Sequence, residues 1–135
     1  MTAHPGIPIG LAKLIGSWNA EIETSEHGPG RGLMTFTSDG IVLGDEEPLP
    51  FETTAHGNWI ATGPLEAAYT FVGLIGNAEG KPGSRLKAVG ALTYDGEVDR
   101  WRGPFQIEIV DANGQRTFTE HGTLSGARIA VERLS

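Results

Sequence analysis

The 135-residue chain contains no cysteine, which removes disulfide frameworks, thiolate nucleophiles and sulfur-bound metals together. Positive charge is scarce as well. Only 10 Lys and Arg stand against 17 Asp and Glu, for a formal charge of -7. That balance repels phosphate backbones and anionic lipid surfaces, so neither nucleic acid nor a membrane is an expected partner. No apolar run approaches the roughly 20 residues of a membrane-spanning helix. Met1-Thr2-Ala3-His4-Pro5 lacks the basic and apolar regions of a secretory signal, and a cytoplasmic protein is the expectation.

Helical periodicity is nearly missing. Only Pro8 to Ile15 reads as helical, about two turns with Ile9, Leu11, Leu14 and Ile15 on one stripe. Residues 1–8 read as a disordered lead-in to a single domain spanning 1–135. The 4 histidines, His4, His27, His56 and His121, are too scattered for a metal-ligand spacing, so no metal is expected. There is no Gly-x-Ser-x-Gly elbow, Walker loop or dinucleotide fingerprint. Gly28-Pro29-Gly30-Arg31-Gly32 and Gly80-Lys81-Pro82-Gly83 lack the following helix that would cradle a phosphate. No cofactor is expected.

What the chain has is turn punctuation. Its 20 glycines and 8 prolines separate runs rich in Val, Ile, Thr, Phe, Tyr and Trp, with turns expected at Gly28-Pro29-Gly30, Ser38-Asp39-Gly40, Asn77 to Gly80, Asp95-Gly96 and Asp111 to Gly114. The spacing predicts strands at Gly16 to Thr24, Gly32 to Thr37, Ile41 to Gly44, Thr53 to Thr62, Glu66 to Ile75, Arg85 to Tyr94, Arg100 to Val110, Arg116 to Leu124 and Arg128 to Leu134. About eight or nine short strands without intervening helices imply an all-β fold, an antiparallel up-and-down β-barrel whose closure removes exposed edges; a sandwich is the alternative.

Side chains alternate across a strand, so apolar parity marks the inner face. Trp101, Gly103, Phe105, Ile107 and Ile109 oppose Arg100, Arg102, Gln106 and Glu108. By the same rule Trp18, Ala20 and Ile22 face in, as do Leu86, Ala88, Gly90, Leu92 and Tyr94; Met34 and Phe36 join them. Gly90, Gly103 and Gly122 fall inside, with Gly73 if Tyr69 and Phe71 face inward. Such glycines either bend a strand toward closure or leave room for a ligand.

Parity also turns Glu120 inward beside Phe118 and Leu124, unless a bulge turns it to solvent. A carboxylate in an apolar lumen is costly unless its pKa rises or a partner meets it. His56 has two readings: Trp59 favours its exclusion from the lumen, whereas a bulge at Gly57 would admit both. If His56 and Glu120 both reach the interior they form an acid/base pair, with Tyr69, Tyr94 and Trp101 around them. His121 points outward.

Gly16-Ser17-Trp18, after a short helical lead-in and opening the first strand, resembles the Gly-x-Trp signature of the lipocalins and the wider calycin superfamily. The resemblance implies that Trp18 packs across a closed barrel end beneath a basic residue of the last strand, Arg128 or alternatively Arg133, both structural. The whole chain is similar to small bacterial lipocalin-like proteins through that tripeptide, Thr35-Phe36-Thr37-Ser38-Asp39-Gly40, His56-Gly57-Asn58-Trp59, Gly103-Pro104-Phe105 and Gly126-Ala127-Arg128-Ile129. It departs from secreted lipocalins in lacking cysteine and a Thr-Asp-Tyr turn, so the transport roles of that branch do not carry over.

Three functions follow from these residues. The first is a barrel binding a small apolar or aromatic molecule against Met34, Phe36, Trp59, Tyr69, Phe71, Tyr94, Trp101, Phe105 and Phe118. The second is a cofactor-independent isomerase, cyclase or lyase using Glu120 and His56. The third is a filled barrel acting through its surface as a homodimer, with Val72, Leu74 and Val89 on the outer face.

Overall fold

The structure, a computed structural model, describes residues 6–24, 28–47 and 52–134; His4 and His27 lie outside them. A 3-10 helix at Ile9–Leu14 leads into eight strands: β1 (Gly16–Thr24), β2 (Gly28–Phe36), β3 (Ile41–Glu46), β4 (Ala55–Ala61), β5 (Glu66–Ile75), β6 (Ser84–Asp95), β7 (Arg100–Val110) and β8 (Arg116–Arg128). Each pairs antiparallel with the next, and β8 returns to β1 to close the barrel. No helix among the described residues is long and apolar enough to cross a membrane, which leaves strands out of account.

The alternation that sequence parity predicts is written most plainly in β6 and β7. Leu86, Ala88, Leu92 and Tyr94 of β6 are buried while Arg85, Lys87, Val89, Ala91 and Thr93 are exposed. Trp101, Phe105 and Ile107 repeat the pattern across the ladder. One face of each strand meets water and the other the lumen, so the two chemistries separate with period two.

The expected short helical lead-in is present as a 3-10 helix, closed on its first turn by Leu11 N–H donating to the Pro8 carbonyl at 2.9 Å, and Ile7 before it packs against the core. Two expectations are corrected. Gly28, Pro29 and Gly30 form no turn but pair with Thr24, Glu23 and Ile22. The ninth strand is missing: β8 runs unbroken through Ser125-Gly126-Ala127 to Arg128, and residues 129–134 take no strand pairing. Gly126 serves space rather than a turn. It lies inside the barrel opposite Trp101, where a Cβ would overlap the indole.

One end of the barrel is closed around Trp18 and Arg128. Trp18 is fully buried, its indole N–H donating to the Leu14 carbonyl at 2.9 Å. The Arg128 guanidinium lies 4.3 Å over the Trp18 ring, a cation held against the negative face of the π-system. Arg128 also grips Asp99, Nε to Oδ2 at 2.6 Å and Nη2 to Oδ1 at 3.1 Å, and donates to the backbone carbonyls of Lys13 and Ile15. The Tyr94 hydroxyl donates to Asp99 Oδ1 at 2.6 Å. Hydrogen bonds from Arg128 and Tyr94 hold the Asp99 carboxyl below its usual range, and they fix a residue whose φ of 51° is left-handed. Arg128, not Arg133, is therefore the basic partner of Trp18.

Above this plug the rings form a connected chain. Trp18 meets Tyr94 and Trp101 edge-on at 6.3 Å; Phe36 meets Trp101 at 5.9 Å, Trp59 at 5.8 Å and Tyr69 at 6.3 Å, again edge-on. Tyr69 stacks on Phe71 at 5.8 Å. Edge-to-face pairs at these distances add attraction beyond burial. The chain fills the lumen from the plugged end toward its middle.

Candidate functional site

Beyond Phe71 the lumen changes character. The halves of the strands remote from Trp18 surround a cavity of about 30 Å³, room for about two water molecules. Its walls are apolar: Ile22 of β1, Met34 of β2, Phe71 of β5, Leu86 and Ala88 of β6, Phe105 and Ile107 of β7 and Leu124 of β8. Gly44 contributes no side chain, and the Phe71 ring leans into the space so vacated, 3.0 Å from where a Cβ would sit. Phe71 is thus both the last ring of the packed half and a wall of the open half.

The polar atoms of this site are carboxylates. Glu46, on the inner parity of β3 after Val42 and Gly44, and Glu52, which bridges to Ile75 of β5, both line the cavity. Burial, and secondarily the charge of Glu120, push the Glu46 carboxyl upward. Glu52 moves further. Burial first, then the neighbouring Glu46 and Asp45 charges, push it up to about 7, and its Oε2 is buried without a hydrogen-bond partner. Among the described residues, no Lys, Arg or His lines the cavity, and no three acidic or histidine groups converge as a metal site.

Because the Glu52 carboxyl rises from an ordinary value of 4.5 to about 7, the native state keeps a proton that the unfolded state has lost between those pH values. Stability then declines as pH rises through that window. We expect the unfolding free energy, measured in urea, to fall between pH 4.5 and 8 by about 1 kcal/mol more in the natural protein than in Glu52→Gln, after allowance for the solvent that reaches a half-buried carboxyl. An identical pH dependence in the two proteins would contradict the shift.

The residues read from the sequence separate into groups. Met34, Phe71 and Phe105 line the cavity. Phe36, Trp59, Tyr69 and Trp101 are buried in the ring chain instead, and Tyr94 belongs to the Asp99–Arg128 plug. Phe118 is half-buried on the inner parity of β8. Glu120 shares that parity: it pairs with Ile107, and the register irregularity falls beyond it, at Ile109/Val110, so no bulge turns it out. Its side chain is half-buried, and its charge is felt by Glu46.

His56 corrects the acid/base pair. β4 pairs without a bulge through Gly57, Ala55 and Trp59 are buried, and His56 is exposed on the outer face. The ladder explains why Gly57 is glycine: a Cβ there would collide with the Thr70 carbonyl. His56 and Glu120 therefore stand on opposite sides of the barrel wall, and no shared lumen site forms between them. His121 is exposed. The groups that sequence reasoning missed are Glu46 and Glu52. Extending β3 by two residues on the Val42–Gly44 parity would have found the first; the second precedes β4 and follows no strand parity.

On the outer face Leu74 is 53% and Val89 38% exposed, while Val72 is half-buried. They share that face with Lys87, which pairs directly opposite Val72.

Neither a protein-family model nor a curated protein matches the chain. The solved structure of a redesigned β-barrel is similar to it, at 14% identity and a TM-score of 0.50, over 93% of this chain and 100% of that one. Identity at that level speaks to architecture alone: the chain is a closed, eight-stranded, antiparallel β-barrel.

Proposed function

We propose that the chain is a lipocalin-like binding barrel, and that its ligand is a small, largely apolar molecule taken into the half of the lumen beyond Phe71. One observation carries the reading: in a barrel whose other half is packed with rings, this half keeps an apolar-walled cavity with acidic groups at its edge. Small apolar cavities with few convergent polar groups are the usual form of ligand sites. At about 30 Å³ the space holds about two waters, so even a short alkyl chain requires the Phe71 ring, which leans over Gly44, to swing aside.

The test is a titration of the nitrogen-15-labelled protein with butan-1-ol. Saturable shifts are expected at the backbone amides of Gly32, Gly44, Ala88 and Leu124, with the Trp18 indole N–H unmoved. Phe71→Ala, which clears the space over Gly44, should tighten binding at least threefold. Shifts that never saturate, or that fall only on the outer face, would overturn the proposal.

A second reading, proton transfer on the bound molecule without a cofactor, is favoured by Glu52. A carboxyl titrating at about 7 beside an apolar cavity is poised to give and take a proton near neutrality. In this reading Glu52 takes the place that His56 and Glu120 were expected to fill.

A further inference from the structure

Resting on the binding proposal above, we propose that the pocket selects an amphipathic cation, an apolar body in the lumen carrying a protonated amine that meets the Glu52 carboxylate. The cavity alone would accept any small apolar molecule. Its polar complement narrows the choice. Among the described residues, Oε2 of Glu52 is buried with no hydrogen-bond partner, an arrangement that costs free energy and is relieved by a donor from a ligand. Glu46 lines the same cavity, Asp45 adjoins it on β3, and Glu120 acts on Glu46 from β8. A neutral donor would satisfy the orphaned oxygen but leave the carboxylates repelling one another; an ammonium satisfies the oxygen and offsets the repulsion, whereas a carboxylate ligand would add to it.

The described residues do not place that positive charge at the cavity. No Lys, Arg or His is among the described residues lining the cavity. Arg31, outward on β2, is engaged by Glu47 at 2.5 Å. A bare metal ion is a poor match, because no three acidic groups among the described residues converge on one point and the walls are hydrocarbon. An ammonium on an alkyl chain suits both halves of the site: the chain lies among Met34, Phe71, Leu86 and Phe105, and the head reaches Glu52 at the edge.

Three ligands of matched length separate the possibilities: n-butylamine, cationic at pH 7.5, neutral butan-1-ol, and anionic butyrate, each titrated against the labelled protein and read at the cavity amides. The expected order is butylamine tightest, by at least tenfold over butan-1-ol, with butyrate weakest. Glu52→Gln should remove most of that tenfold advantage, because it weakens butylamine far more than butan-1-ol, whose hydroxyl loses a charged acceptor but needs no counter-charge. Glu46→Gln, which removes a neighbouring charge but leaves the orphaned oxygen in place, should remove a smaller part. Equal affinity for butylamine and butan-1-ol in the natural protein would overturn the cation inference while leaving the binding reading in place. Butylamine shifts confined to surface carboxylates would likewise overturn it. If none of the three moves a cavity amide, the binding reading falls as well.

Discussion

Trp18→Ala is expected to lower the unfolding free energy by about 4 kcal/mol, the upper range for truncating a buried aromatic side chain. The indole is fully buried, so its removal leaves a large void at the plugged end. Four further contacts go with it: the N–H bond to the Leu14 carbonyl, the edge contacts with Tyr94 and with Trp101, and the face on which Arg128 rests. The void does not collapse easily. Arg128 is tied to Asp99 and to the backbone of Lys13 and Ile15, and the 3-10 helix is fixed from below by Leu11 and Leu14, both fully buried. Trp18→Phe should recover about half the loss, since a ring still fills the space but cannot donate to Leu14. Urea unfolding followed by far-ultraviolet circular dichroism measures both variants. A loss below about 1.5 kcal/mol for the alanine variant would show that the plug is incidental to stability.

Gly126→Ala is expected to cost about 3 kcal/mol, although it adds a single methyl group. The new Cβ would overlap Cε2, Nε1 and Cζ2 of Trp101. That indole is 1% exposed and wedged between Trp18 and Phe36, so it has nowhere to go without disturbing the ring chain. The control is Gly114→Ala. Gly114 has a φ of 83° and open space around it, so alanine there meets backbone strain of about 1 kcal/mol and no clash. A double substitution decides the cause: Trp101→Phe removes the outer part of the indole, which includes the Nε1 and Cζ2 atoms at the point of overlap, so Gly126→Ala should cost markedly less in that background. Additive losses in thermal and urea unfolding would assign the effect to the β8 backbone instead.

Much of this architecture is legible in the sequence because water lies on one side of every strand and hydrocarbon on the other. The inner positions of β1, β6 and β7 follow from parity alone, and the placement of Glu120 on the inner face follows from Phe118 and Leu124 beside it. Other features rest on information that parity does not carry. Gly126 reads as a turn residue by local chemistry, and only the position of the Trp101 indole across the ladder shows that the strand continues through it. Gly57 invites a bulge for the same reason, yet its absent side chain clears the Thr70 carbonyl and leaves the register of His56 undisturbed.

The acidic edge of the cavity was the least visible part. Glu120 stood out because it interrupts an apolar row. Glu46 hid in the last two residues of a strand read as ending at Gly44, and Glu52 belongs to a single bridge with Ile75, a pairing between segments that no short-range pattern encodes. Alternation along β4 puts Ala55 and Trp59 inside, and extrapolated backward it would turn Glu52 outward. Its burial is a tertiary fact, set by where the chain crosses the end of β5.

The division of the lumen into a ring-packed half and an aliphatic half with a small cavity has a consequence for how such a chain can change. Every strand passes through both halves, yet the interlocked contacts are concentrated in one of them. Substitutions at Leu86 or Ile107 would remodel the shape offered to a guest while leaving the Trp18–Trp101–Phe36 assembly intact. Stability and selectivity are assigned to opposite ends of the same strands, so the barrel can be retuned at one end without being rebuilt at the other.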